Sequence, residues 1–221
     1  MESTLKSLAK CIEFGKANKE VSFPPELKGM DGAKELTIIA LEQGIPPNTI
    51  LKDGLVSAMN IVGEKFAKNE IFVPHMLMAA RAMNTSLEIL KPFFSSGEIQ
   101  RKGVFVIGTV AGDLHDIGKN LIGMMVEGAG WEVIDLGVDV ETEVFEKSIN
   151  SYPSCVVGLS ALLTTTMVNM EATVKVLKEK FPNTKLLVGG APVTKKFSVR
   201  IGADGYSPDP QGVINYLKNI A

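Results

Sequence analysis

Several residue types that announce a function are scarce in this chain. Its 221 residues include two cysteines and two histidines, contain no run of five or six like charges, and carry a formal net charge of -2. No stretch approaches the ~18 consecutive apolar residues that a membrane span requires. The cysteines, Cys11 and Cys155, fall in an expected helix and just before an expected buried strand, so both read as reduced packing residues. The charge balance offers no basic or acidic surface for nucleic acid or an acidic membrane. The opening "MESTLKSLAKCIEFGK" has no apolar core or small-residue cleavage site, which makes a cytoplasmic location the expectation. Internal repeats and low-complexity segments are also missing.

The hydrophobic content is 45%, enough for one large domain or two small ones with a real core. Apolar residues recur at helical spacing up to about residue 95, as in "AKELTIIALEQG", "TILKDGLVSAMNIVGEKFAKN" and "PHMLMAARAMNTSLEIL". Gly44 marks a helix stop, and Pro46-Pro47 and Pro74 mark helix starts. With "LKSLAKCIEFGK" these make a four-helix unit over residues 1–95. Past the Ser95-Ser96-Gly97 linker the texture changes to short β-rich runs, "VFVIGTV", "WEVIDLG", "CVVGLSAL", "KLLVGG" and a weaker "ADGYSP", separated by helical segments. That alternation predicts an α/β fold over residues 96–221, a flavodoxin-like, doubly wound, five-stranded parallel sheet. Ligands of such sheets bind at the carboxyl ends of the strands. "GTVAGDLHDIGKN", "SALLTTT" and "GGAPVT" fall there, after the first, third and fourth strands.

The segment "GDLHDIGKN", residues 112–120, admits several readings. A phosphate loop fails on spacing, because five residues separate Gly112 from Gly118 and Asn120 stands where a magnesium-binding hydroxyl belongs. The dinucleotide fingerprint does not occur in the first strand-helix turn. A zinc or iron site needs about three side-chain ligands; Asp113, His115 and Asp116 lie close together while the other histidine, His75, lies in the helical half, so a facial site on this loop stays open. A phospho-acceptor receiver needs a lysine after the fifth strand, and "GYSPDPQG" has none. The plainest reading makes Asp113 a helix cap and His115 a hydrogen-bonded loop residue. Against it, Asp-x-His sets a carboxylate beside an imidazole, the pairing that fixes a tautomer and raises the basicity of a metal ligand. One protein ligand suffices if the metal arrives inside a cofactor.

"GDLHDIGKNLI" carries the D-x-H-x-x-G motif of cobalamin-binding domains, and "LSALLTTT" and "LLVGGAPVT" match its S-x-L and G-G companions in order. "GLVSAMNIVGEKFAKNEIFVPHMLMAARAM" resembles the cap domain of methionine synthase and of the small corrinoid proteins serving methanol, methylamine and methoxyl-group methyltransferases. The resemblance spans roughly residues 35–215.

It implies a helical cap domain before a Rossmann-like cobalamin-binding domain. Cobalamin would be bound with its own base detached, with His115 as the cobalt ligand. The catalytic relay would run from His115 through Asp113 to a hydroxyl that aligns with Thr166, where methionine synthase has serine. Gly112, Leu114, Asp116, Ile117 and Gly118 would wrap the corrin edge and tail, and Ser160, Leu162, Thr164, Gly189, Gly190 and Ala191 map onto cofactor-contacting positions. Lys119 and Asn120 would begin a helix. Phe66 and Val73, with Met59 beside them, would cover the upper face, and His75 stands where related carriers often have a carboxylate or amide. The function implied is that of a methyl carrier, a subunit of a corrinoid-dependent methyltransferase rather than a complete enzyme. Its partners would be a substrate-specific corrinoid methyltransferase, a second methyltransferase acting on tetrahydrofolate or a thiol, and a reductive activase. Two other classes use the same module: a cobalamin-sensing regulator, disfavoured by the lack of a basic patch, and the small subunit of a mutase, disfavoured by the cap.

Overall fold

The computed structural model describes residues 2–220. Contacts divide the chain into two compact units, Met1–Arg101 with Gly128–Gly130, and Lys102–Glu127 with Trp131–Ala221.

The first unit is helical. Helix α1 (Glu2–Glu13) buries Thr4, Leu8, Cys11 and Ile12, a single stripe at helical spacing. Helix α2 (Ala33–Glu42) ends just before Gly44, whose φ of 73° suits a residue without a side chain. Pro46-Pro47 then opens α3 (Pro47–Thr49), which continues through a π-helical segment, Ile50–Val56, into α4 (Ser57–Ala67). Within that segment Gly54 meets α1, where an added Cβ would lie 3.0 Å from Leu8 Cδ2. Helix α5 (Val73–Ser95) has Pro74 in its first turn. It is fastened to α2 by a buried hydroxyl pair: Thr37 Oγ1 donates to Ala33 O at 2.7 Å and lies 2.9 Å from Ser86 Oγ, whose own proton it can accept. Among the described residues, four longer helical stretches and a short 3-10 turn at Pro25–Leu27 thus form the unit, the four being those the periodicity predicted. Both cysteines are buried free thiols, and burial pushes each up to about 11.

The second unit alternates strand and helix: β1 (Val104–Thr109), α6 (Ile117–Gly128), β2 (Glu132–Asp135), α7 (Thr142–Ser151), β3 (Val156–Ser160), α8 (Met167–Lys180), β4 (Lys185–Gly189), α9 (Lys195–Arg200), β5 (Gly205–Tyr206) and α10 (Pro210–Ile220). The sheet is wholly parallel in the order β2-β1-β3-β4-β5. This is the flavodoxin-like order expected from the alternation. Its central strands are buried on both faces and therefore read as continuous apolar runs rather than alternating ones. Glycines inside those strands make room for aromatic rings: an added Cβ at Gly108 would lie 2.8 Å from Phe145 Cζ, and at Gly158 2.7 Å from Phe105 Cζ.

Register decides where a ligand can bind. Thr109 pairs with Ser160, and Ser160 with Gly189, so the last residues of β1, β3 and β4 lie side by side. From β1 the chain crosses outward to β2 on one side, while β3 begins the succession on the other. The crevice of a doubly wound sheet falls at this reversal.

Phe145 is fully buried in the core of this unit. Phe145→Ala should destabilise the unit by about 3–5 kcal/mol. Urea titration read by the fluorescence of Trp131, the single tryptophan, measures the loss.

Candidate functional site

Asp113 lies in the loop after β1, and its side chain has no exposure to water. Its carboxylate is nevertheless fully engaged. Oδ1 accepts from the His115 main-chain amide at 3.1 Å and faces His115 Nδ1 at 2.8 Å. Oδ2 accepts from the Thr166 hydroxyl at 2.7 Å and from the amides of Leu162 at 2.7 Å and Leu163 at 3.3 Å. Burial works to raise this carboxyl, but the Thr166 hydroxyl, the Leu162 amide and the two His115 donors outweigh it and hold the group well below the usual carboxylate range. Asp113 therefore does not cap α6, which begins at Ile117. Asp116 stands before that helix and accepts from Asn120 Nδ2 at 3.0 Å.

The ionised carboxylate can only accept hydrogen bonds, so His115 Nδ1 must carry the ring proton. Nε2 is left with its lone pair, and no described residue bonds to it. The ring is 49% exposed. Around it the loops present apolar side chains to solvent: Leu114 and Ile117 are 71% exposed, and Leu162 and Leu163 are 42% exposed. Four open apolar residues beside a half-exposed imidazole with an unshared nitrogen form a surface built to be covered.

The remaining residues marked in the sequence divide into three groups. Gly112 (φ 81°), Gly118, Thr164 and Ala191 are exposed along this rim, while Ser160 and Gly189 lie half-buried at the strand ends. Gly190 has its glycine requirement met inside the protein. At φ 127°, an added Cβ would lie 1.8 Å from Ala161 O, so the neighbouring main chain alone forbids a side chain there. Gly189 instead borders a narrow seam with Gly158, Ser160, Ser207, Ile122 and Val213, holding a cavity of ≈ 20 Å³. That is about the space of one water molecule. In the helical unit Met59 is buried and Phe66 and Val73 are half-buried. His75 is exposed, and its Nδ1 accepts from the Phe72 amide at 3.4 Å, closing the first turn of α5.

Sequence reasoning missed the residues that fix the loop. Thr109 Oγ1 donates to His115 O at 2.9 Å, Asp139 Oδ1 accepts from the Gly112 amide at 2.6 Å, and Asn169 Nδ2 donates to Ala111 O at 2.7 Å. The available signal was positional, because Thr109 ends strand β1 and Asp139 follows strand β2 at the ligand-binding end. Gly158 had a local signal as a glycine within an apolar strand run. Among the described residues no group of three or more His, Cys, Asp and Glu side chains is placed to hold a metal ion. The protein offers one imidazole nitrogen, which suits a metal whose other ligands come with a cofactor.

Comparison with known proteins gives the same direction. The B12 binding domain family matches residues 103–213, and a second family of the same description matches residues 30–91. The chain is similar to trimethylamine corrinoid protein 1 of Methanosarcina acetivorans, with 38% identity over 192 residues that cover 85% of this chain and 89% of the relative. Among solved structures, a cobalamin-binding protein from Desulfitobacterium hafniense has a TM-score of 0.75 at 26% identity, covering 99% of this chain and 97% of that one. A chain of the methanol:cobalamin methyltransferase complex from Methanosarcina barkeri has a TM-score of 0.82 at 26% identity, covering 99% of this chain and 80% of that one. No helix among the described residues is long and apolar enough to cross a membrane.

Thr166→Val removes one donor from the buried carboxylate and should cost about 1.5–3 kcal/mol at neutral pH. Because folding depresses the Asp113 carboxyl, this difference is complete above the ordinary carboxylate range and shrinks as pH falls through and below it. Urea titrations of both proteins at neutral pH and at about pH 3 check the size and the sign.

Proposed function

Because the chain belongs to the B12-binding family of corrinoid proteins, we propose that it is the methyl-carrying subunit of a multi-component methyltransferase, holding cobalamin through His115 with the cofactor's own base detached. The observation that carries this reading is the unshared Nε2 of a half-exposed imidazole whose Nδ1 is held by a buried, ionised carboxylate. The likeness to a trimethylamine corrinoid protein and to a chain of a methanol:cobalamin methyltransferase complex supports the carrier role.

Bound cobalamin supplies a cobalt centre that accepts a methyl group and gives it up again. The protein's contribution is to present a ligand and to manage a proton. Asp113 keeps the ring proton on Nδ1, which orients the imidazole and leaves the Nε2 lone pair available to a metal. Thr166 steadies Asp113 from the far side; its single hydroxyl proton sits between two acceptors, Asp113 Oδ2 at 2.7 Å and Leu163 O at 2.9 Å. The exposed Leu114, Ile117, Leu162 and Leu163 would provide apolar contact for the corrin and keep water from the imidazole. The seam bordered by Gly158 and Gly189 leads from the same strand ends past Ser160 and Ser207 and between larger apolar residues such as Ile122 and Val213, which would have to part to admit the nucleotide tail. The partners of such a carrier would be a substrate-specific corrinoid methyltransferase that supplies the methyl group, a second methyltransferase that passes it to tetrahydrofolate or a thiol, and a reductive activase as the source of electrons.

Purified protein mixed with hydroxocobalamin should retain the cofactor through gel filtration. His115→Ala should abolish the visible-spectrum signature of imidazole coordination, and Asp113→Asn should weaken binding by about 10–100-fold. Failure of the wild-type chain to retain cobalamin contradicts the reading. Methyl transfer with methyltransferases encoded beside this chain tests the carrier role.

A further inference from the structure

The most unexpected charge in the second unit is Lys119. It sits in the first turn of α6 with only 2% of its side chain exposed. Both features are unfavourable: a cation at a helix N-terminus opposes the helix dipole, and a buried ammonium loses its hydration. Helix formation does not explain such a residue. What compensates it is a set of oxygen partners, Asp135 Oδ1 at 2.6 Å and Oδ2 at 2.5 Å, and Asn120 Oδ1 at 2.7 Å.

Asp135 is the last residue of β2, and from it a chain of bonds returns to the histidine loop. Its Oδ1 also accepts from the Gly137 amide at 2.8 Å, and Gly137 O accepts from the Thr109 amide at 3.0 Å. Thr109 Oγ1 in turn holds His115 O at 2.9 Å. Two residues past Gly137, Asp139 donates its amide to Asp113 O at 3.0 Å and accepts from the Gly112 amide at 2.6 Å. The loop that carries His115 is thereby held at both ends. One end is the segment after β2, and the other is the start of α6, which Lys119 ties to that same segment. A buried ion pair often contributes little net stability, so geometry is the better account of its presence.

We propose that Lys119 is a positioning residue for the His115 imidazole. Its pair with Asp135 locks the first turn of α6 to the end of β2, so that His115 Nδ1 meets Asp113 Oδ1 and Nε2 is offered in a single tautomer. The inference deepens the site described above and rests on the reading of His115 as the ligand, but it concerns the geometry of the cofactor-free chain and can be tested there.

The test uses nitrogen-15 shifts of the histidine rings in the cofactor-free, full-length protein, in mildly alkaline buffer where imidazole is neutral. With two histidines in the chain, assignment is direct and each serves as control for the other. Wild-type His115 should show the proton on Nδ1 alone. His75, whose Nδ1 accepts from Phe72, should show it on Nε2. Lys119→Met leaves no buried charge, and Asp135 is 44% exposed and open to water. This variant should lose the single His115 tautomer in favour of an averaged signal while His75 stays unchanged. Lys119→Arg, which keeps a forked donor for the carboxylate, should restore it. In protein loaded with hydroxocobalamin, imidazole coordination should weaken about tenfold in the Met variant, the low end for loss of an outer partner of a metal ligand.

A folded Lys119→Met protein that retains a pure His115 tautomer overturns the proposal, whatever happens to its melting temperature. If circular dichroism shows that Lys119→Met does not fold, Asp135→Ala, which removes both carboxylate oxygens at a position 44% exposed, is read by the same two outcomes. Failure of wild-type protein to hold cobalamin would remove the carrier reading while leaving the tautomer result to stand or fall separately.

Discussion

The carboxyl end of the sheet is organised around one ionised carboxylate that water does not reach. Asp113 gathers donors from its own loop, from His115, from the two amides that follow β3 and from the start of α8. Charge-assisted bonds of this kind are stronger than neutral ones, and losing any of them leaves a buried charge less than satisfied. That requirement forces the loops after β1 and β3 into contact, and the parallel register that aligns Thr109 with Ser160 makes the contact possible. The histidine gains its character from the same arrangement. An acceptor-only carboxylate on Nδ1 leaves Nε2 basic and free, on a ring that is half exposed.

The coarse fold was readable because its causes are local. Gly44, Pro46-Pro47 and Pro74 punctuate the helical unit where backbone geometry demands it, and the apolar strand runs announce a sheet buried on both faces. The π-helical segment over Ile50–Val56 had no such signal, since its sequence is helical in spacing and composition. The final strand is only two residues long, and its pairing with β4 is a property of the completed sheet rather than of "ADGYSP".

The site was legible in its residues and obscure in its wiring. The motif marked Asp113, His115 and Thr166, yet the bonds that join them span 53 residues of sequence and arise from strand order. Local reasoning offered Asp113 as a helix cap, but its carboxylate is turned inward to partners after β3, and α6 begins only at Ile117. Gly190 has a reason for being glycine that local reasoning could not supply. Its lack of a side chain reads naturally as room for a ligand, but Ala161 O occupies the space. Lys119 was legible as an early helix residue and nothing more, because its partner Asp135 enters through the β1–β2 pairing.

The central claim is that a protein imidazole, His115, takes the place of the cofactor's own base on cobalt. Electron paramagnetic resonance of the loaded protein in the cobalt(II) state, with unlabelled cobalamin, tests it directly. Histidine labelled with nitrogen-15 should convert the superhyperfine triplet of the axial nitrogen into a doublet. A triplet that survives labelling would mean that the nitrogen belongs to the cofactor, and the account given for His115 would be wrong.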